Sequence, residues 1–389
     1  MTPICLHNGT VMTGFAAMEH CAVLIEGGVI ADVFSKKRFE QKHFSPDVKI
    51  IDVGESYIAP GLIDTHIHGF GGYGTEDAST DSMIEMSRLL SQFGVTAFNP
   101  TLYPSEPEEM LKAVSNVAAA IGREPGARIM GLHLEGPFLS PDRLGVQRPE
   151  TLKLVDIPFM EQLWAAAEGH IVNMTVAPEL KGMRELALFC IKKGIILQAG
   201  HTDARYENMV EGMQAGILHS THLFNAMSKL DHRNPNAVGT ILIHPEMSCE
   251  IIADGCHVHP DLFKLLRRDK PIDKIVLVTD GLKPTEQAAG PFFANGEEVI
   301  FHDGVFHRKM DDVIAGSGLT MIRGIENLVS FGFSLEDAVK TASSNPAQVM
   351  RYNRKGTIIP GNDADVVVFD RDYQVLITVA GGIIKYNNL

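Results

Sequence analysis

The sequence predicts an α/β protein: a (β/α)8 TIM-like barrel with a small β-sandwich domain formed from both termini. Three observations lead there. From residue 57, short apolar runs rich in strand formers alternate with amphipathic stretches, the pattern of a parallel sheet built from βα units. There are eight such runs, and each ends in polar or ionisable residues. The two chain ends hold strands and turns, but neither can bury a core alone.

Taken in order, "CAVLIEGGVIADVF" reads as two strands joined by Gly27-Gly28, a glycine pair suited to a two-residue hairpin turn. The barrel runs are "YIAPGLIDTHIH", "GVTAFNPT", "RIMGLHLEGP", "IVNMTVAPE", "GIILQAGHTD", "ILHSTHLFNA", "CEIIADGCHV" and "KIVLVTDG". Between them, Met83, Met86, Leu90 and Phe93 recur at helical spacing, as do Met110, Val114, Val117 and Ile121. The stretch "GEEVIFHDGVFHRK" (296–309) reads as a hairpin inserted after the eighth strand, and the last thirty or so residues return to strand and turn. The expected division is 1–56 and 350–389 for the small domain and 57–349 for the barrel. An open doubly wound sheet could be drawn from the same elements. The eightfold count favours the barrel, whose active sites lie at the C-terminal strand ends.

Composition narrows the function. The chain has 389 residues, 45% hydrophobic and 21% charged, as in ordinary globular proteins. A formal charge of −14 without a basic run argues against a nucleic-acid partner. No apolar stretch of about 18 residues predicts a membrane span, and the opening "MTPICLHNGTVMTG" lacks a leader pattern. Cys5, Cys21, Cys190, Cys249 and Cys256 are odd in number and lack C-x-x-C spacing. Buried free thiols in a reducing cytoplasm fit them better than disulfides or a cysteine zinc site.

The chemistry gathers at strand ends. His66 and His68, in "DTHIHGFGG", are two apart on a strand end and face the same side. Glu135 ends the third run, His201 the fifth, His222 the sixth and Asp280 the eighth; Asn99, Glu179 and His257 end the others. Each alone is more often structural or solvent-facing than functional. Together, four imidazoles and two carboxylates on one rim suit zinc or a similar divalent ion with positions left open for water and substrate.

The ordered set H-x-H, E, H, H and D on strands one, three, five, six and eight resembles the amidohydrolase superfamily of metal-dependent hydrolases. More narrowly, "GLHLEGPFLSP", "AGHTDA", "THLFNAM", "ADGCHVHP", "LVTDGL" and "AGSGLTM" resemble the N-acetylglucosamine-6-phosphate deacetylase family. The resemblance covers nearly the whole chain, down to "GNDADVVVFD". It implies hydrolysis of N-acetyl-D-glucosamine 6-phosphate to D-glucosamine 6-phosphate and acetate, in amino-sugar catabolism and recycling. It implies one metal held by Glu135, His201 and His222, a second site completed by His66 and His68, and Asp280 as general base and acid. One or two divalent ions per chain are implied, zinc first, with iron, manganese, cobalt or nickel as alternatives. Substrate contacts are implied for Val146, Asn225, Ala226, His257, Ile314, Ala315 and Gly316. Arg233 is implied to grip phosphate in the neighbouring site of a homodimer.

Two positions need comment. His133 points the same way as Glu135, but the family pattern assigns it no metal, so a supporting role is expected. Where some relatives read Gly-Ala-His, this chain reads Gly145-Val146-Gln147, and Gln147 can bond a sugar but cannot carry a proton. Other readings are a different amidohydrolase reaction, such as cyclic-amide opening or base deamination, and a metal-free scaffold. The first would need neither Arg233 nor "HLFNAM"; the second would be expected to have lost ligands.

Overall fold

The computed structural model describes residues 1–287 and 291–389. Eight parallel strands form the barrel: β1 (Leu62–Ile67), β2 (Val95–Leu102), β3 (Leu132–Glu135), β4 (Ile171–Val176), β5 (Ile196–Ala199), β6 (His219–Ser220), β7 (Ser248–Ile252) and β8 (Ile275–Val278). Each pairs with the next in chain order. The ring closes at the rim, where Ile67 bridges Gly281 and Asp280 N donates to the His66 carbonyl at 3.0 Å. Helices on the outside cover the strands. Met83, Met86 and Leu90 of the helix Thr80–Leu90 are buried, as are Met110, Val114 and Val117 of the helix Pro107–Ala118. Phe93 and Ile121 lie just past those helices and are half-buried.

Two runs that read as single strands are divided, each at a glycine. In "YIAPGLIDTHIH", Tyr57–Pro60 pairs with Ile4–Met12 and Val366–Phe369 of the terminal sheet, and the barrel strand begins only at Leu62. At Gly61 a Cβ would lie 2.2 Å from Thr96 Oγ1, so glycine alone lets the chain pass β2 at this turn. In "RIMGLHLEGP", Arg128–Ile129 and Leu132–Glu135 are separate segments flanking Gly131.

The termini build one mixed sheet that curls over its own core. Its order runs Ile383–Asn387, Val375–Ala380, Val366–Phe369, Tyr57–Pro60, Ile4–Met12, Ala17–Glu26, Val29–Ser35, with Lys49–Asp52 also paired to Ile4–Met12. The Gly27-Gly28 turn has both residues at positive φ, 60° and 83°, as the hairpin requires. Alternation along Val366–Phe369 joins the two bodies. Val366 and Val368 face the sheet's own core, while Val367 and Phe369 pack into the barrel's.

The inserted hairpin grows into a four-stranded antiparallel sheet: Phe292–Ala294, Glu297–His302, Val305–Arg308 and Ile314–Ser317. Its last strand returns to the rim, where Ser317 bridges Gly281. Among the described residues no helix is long and apolar enough to cross a membrane. All five cysteines are free; four are buried, and Cys256, contrary to expectation, is exposed.

Candidate active site

The rim residues converge in two groups around one carboxylate. In the first, His201 Nε2 and His222 Nε2 lie 3.1 and 3.0 Å from Glu135 Oε1, and 3.2 Å from each other. In the second, His66 Nε2 and His68 Nε2 each lie 3.4 Å from Asp280 Oδ1. Glu135 joins the groups: His66 Nε2 is 3.5 Å from Oε1 and His68 Nε2 is 3.4 Å from Oε2. All six residues are buried.

These distances fit metal ligation. Atoms held about 2.0–2.2 Å from a tetrahedral zinc stand roughly 3.3–3.6 Å apart, close to the separations seen in both groups. Two imidazole nitrogens pointing at each other and at one carboxylate oxygen are explained by a shared cation. His66 Nε2 is buried with no hydrogen-bond partner, which is how a nitrogen reserved for a metal looks. The far nitrogens are mostly held. His66 Nδ1 bonds Glu250 Oε2 at 3.0 Å, His68 Nδ1 donates to the Thr101 carbonyl at 3.1 Å, and His201 Nδ1 donates to the Leu144 carbonyl at 3.0 Å. His222 is the exception, with Nδ1 buried and unpartnered.

The electrostatics point the same way. Burial disfavours a charged His66 ring, yet Glu250 and Asp280 outweigh it and raise its pKa to about 10. Burial pushes Asp280 up, but His66 and His68 more than reverse this and bring it down to about 2. Burial likewise opposes ionisation of Glu135, and His201 and His222 hold it well below the usual carboxylate range. So many ionised carboxylates in a buried site call for positive charge, which a divalent ion supplies in place of imidazole protons.

The backbone shows why these side chains sit where they do. His201, His222 and Asp280 follow the last residues of their strands at φ of 45°, 21° and 50°. A non-glycine residue in that region costs about 1–3 kcal/mol and persists only where the surroundings hold it. Asp64 contributes from below: its carboxylate accepts from Thr279 Oγ1 at 2.6 Å and from the His66 N–H at 3.3 Å, pinning β1 to β8.

A cavity of about 280 Å³ opens above the two groups. Its walls include Tyr103, Val146, Asn225, Ala226, His257, Ile314 and Ala315. His68 stacks on Tyr103 with ring centroids 3.8 Å apart. His257 Nδ1 is bonded to Asp254 Oδ2 at 2.5 Å. Gly316 is buried behind the wall, where a Cβ would meet Leu282 and the Asp280 carbonyl, so it shapes the site by packing. Arg233 is exposed on the loop after β6 and lies outside this lining.

His133 points into the barrel, bonds Thr101 Oγ1 and Thr175 Oγ1 at 3.0 and 2.8 Å, and packs edge-on against the His66 ring with centroids 4.7 Å apart. Gln147, which could bond a sugar but carry no proton, donates to Glu135 Oε2 at 2.6 Å and so helps to orient that carboxylate. Asn99 bonds Asn173 and Tyr352, and Glu179 accepts from Thr202 and Asp203, so both serve the scaffold. Glu250, a fully buried carboxylate on β7 touching His66, was not singled out from sequence.

Comparison with known proteins agrees with this architecture. The Amidohydrolase family matches residues 57–385. The chain is 36% identical to the N-acetylglucosamine-6-phosphate deacetylase of Bacillus subtilis (strain 168) over 97% of its own length and 95% of the relative's. It is 30% identical to the N-acetylgalactosamine-6-phosphate deacetylase of Shewanella sp. (strain ANA-3), over 97% and 94%. A solved structure of N-acetyl-D-glucosamine-6-phosphate deacetylase from Mycobacterium smegmatis, an aspartate-to-alanine mutant in complex with N-acetyl-D-glucosamine-6-phosphate, superposes with a TM-score of 0.92 at 27% identity, covering 100% of both chains. With its paired ligand groups on a barrel rim and these full-length likenesses, the chain belongs to the amidohydrolase family and, within it, to the N-acetylglucosamine-6-phosphate deacetylases.

Proposed function

We propose that the chain hydrolyses N-acetyl-D-glucosamine 6-phosphate to D-glucosamine 6-phosphate and acetate, as a step of amino-sugar catabolism and recycling. One observation carries the reading. Asp280, an ionised carboxylate, stands at 3.4 Å from two imidazoles of a metal-ligating group and faces a sugar-sized cavity. Glu135, His201 and His222 would hold one divalent ion, and His66, His68 and Asp280 a second, with Glu135 between them. Zinc suits the N/O donor set best, and iron, manganese, cobalt and nickel share it. Such an ion polarises an amide carbonyl and makes water acidic enough to attack near neutrality.

The protein's groups manage the protons. Asp280 takes a proton from the attacking water as oxygen bonds to the acetamide carbon. It then passes that proton to the sugar nitrogen as the C–N bond breaks, because an unprotonated amine is too basic to leave. His257, Asn225 and Ala226 would orient the sugar, and Val146, Ile314 and Ala315 would close around it and exclude water. Gly316 would act through packing rather than contact.

The phosphate lacks a partner within the chain's own cavity. Among the described residues, the lining contains no lysine or arginine. A dianion needs a cation, and guanidinium fits it as a two-pronged donor. Arg233, exposed on its loop, would supply it across a homodimer.

The test is acetate release by the purified protein from a panel of N-acetyl hexosamines, with and without the 6-phosphate. N-acetyl-D-glucosamine 6-phosphate should be used fastest and its unphosphorylated form poorly. A faster rate with the galactosamine epimer would reassign the substrate, and no acetate from any of them would sink the reading.

A further inference from the structure

The barrel interior holds a carboxylate that the mechanism does not use. Glu250 sits at the centre of β7 with no exposed surface. Burying an ionised group is costly unless its oxygens are satisfied. Oε2 faces the His66 ring at 3.0 Å and accepts from the His222 backbone N–H at 3.3 Å. Oε1 accepts from Gln198 Nε2 at 3.1 Å and faces His219 Nε2 at 3.7 Å. His219 is itself held by Ser248 Oγ at 2.8 Å on its other nitrogen. The oxygen with shorter bonds to the rim thus touches a residue of each metal-ligating group, while the other is anchored deeper in the barrel.

We propose that Glu250 is a positioning residue for metal binding: it fixes the His66 ring with a proton on Nδ1 and the Nε2 lone pair aimed between Glu135 and Asp280. This rests on the metal reading of the rim. A carboxylate bonded to Nδ1 admits one tautomer of a metal-ligating imidazole and raises the basicity of the nitrogen that binds. The ring contact is shorter than the contact to His222, so the His66, His68 and Asp280 group depends on Glu250 more than the other does. A buried carboxylate serving only stability would affect both groups alike.

The experiment titrates Co²⁺ into full-length, metal-stripped protein, following cobalt absorption and bound metal, for the wild type, Glu250→Gln and Glu250→Ala. Glutamine keeps the shape and loses the charge, so it covers the case in which alanine fails to fold. The wild type should take up two ions. In Glu250→Gln the weaker step should lose about 10–100-fold in affinity, the usual effect of removing such a partner, while the tighter step stays near wild type. Turnover should recover at saturating metal. Wild-type affinity for both steps in folded Glu250→Gln overturns the proposal. So does a loss of kcat that excess metal does not restore, since Glu250 would then act on the reaction itself. A wild type that binds fewer than two ions fails the two-metal reading, and the proposal with it, before any variant is compared.

Discussion

Two clusters in this protein combine histidines with an aspartate, and they are built in opposite ways. On the rim, His66, His68 and Asp280 are buried, and both rings are held from behind by Glu250 and the Thr101 carbonyl. On the inserted sheet, His302 and His307 stand beside Asp312, with side-chain exposures of 44%, 13% and 79%. Their rings stack at 3.8 Å with planes 12° apart, and His302 Nε2 and His307 Nδ1 lie 3.4 and 3.3 Å from Asp312 Oδ1. Residue types and convergence on one carboxylate oxygen are shared; burial and support from behind are not. Those two features separate a candidate metal site from polar surface.

The largest effect should come from the carboxylate that joins the rim groups. Glu135→Ala should abolish bound metal and activity, because it removes a ligand from one group and the bridge to the other. Elemental analysis showing full metal occupancy in that variant would break the comparison. Asp280→Asn should keep substrate binding and the ion held by Glu135, His201 and His222, while turnover falls about 10²–10⁴-fold. Steady-state rates within a few fold of wild type would remove Asp280 from proton transfer.

Arg233→Ala should weaken use of the phosphosugar by at least about tenfold, since a hydrogen bond to a charged group contributes about 1.5–3 kcal/mol. Mixed Arg233→Ala and Asp280→Asn subunits should regain activity, because one site in each hybrid dimer then has both groups intact. Verified hybrids that stay inactive would exclude sharing between subunits.

A pH profile sharpens the wall of the site. Burial pulls the His257 ring toward its neutral form, but Asp254 outweighs it and raises the pKa. The charged form therefore outlasts the ordinary histidine range as pH rises. It adds stability in full below the unfolded value of about 6.5, lost as pH climbs through the raised one. Asp254→Asn removes the charge that holds the proton, so the alkaline fall of kcat/KM should move to lower pH; an unmoved limb would exclude a charged His257 from binding. The smallest effect is expected on the inserted sheet. His302→Ala with His307→Ala should leave metal content and turnover unchanged, and the exposed His302→Ala alone should change stability by no more than about 0.5 kcal/mol. A lost ion there would show that burial and support are not required.

The rim was legible because an ionisable residue that closes an apolar run stands out in the sequence. His66, His68, Glu135, His201, His222 and Asp280 all meet as the spacing implied. Glu250 was less legible. β7 is buried on both faces, so it lacks the alternation that would assign Glu250 to the interior. Its signal was a lone carboxylate inside "CEIIA", and only the fold shows that His66 and His222 lie across from it. Gly61 hides a similar boundary: the run through it is continuous in hydrophobicity, and the change of sheet comes from crowding against Thr96. Arg233 carries no partner in its own sequence neighbourhood that could reveal which site it serves.

The inserted sheet has a consequence for how such an enzyme can change. The candidate ligands come from the ends of β1, β3, β5, β6 and β8, but Val313, Ile314 and Ala315 of the cavity wall arrive with the returning insertion. The insertion is tied to the rim through Ser317 and Gly281. Mutations in its outer strands can therefore tilt that wall while leaving the six rim residues in place, so the shape of the cavity can change independently of the rim.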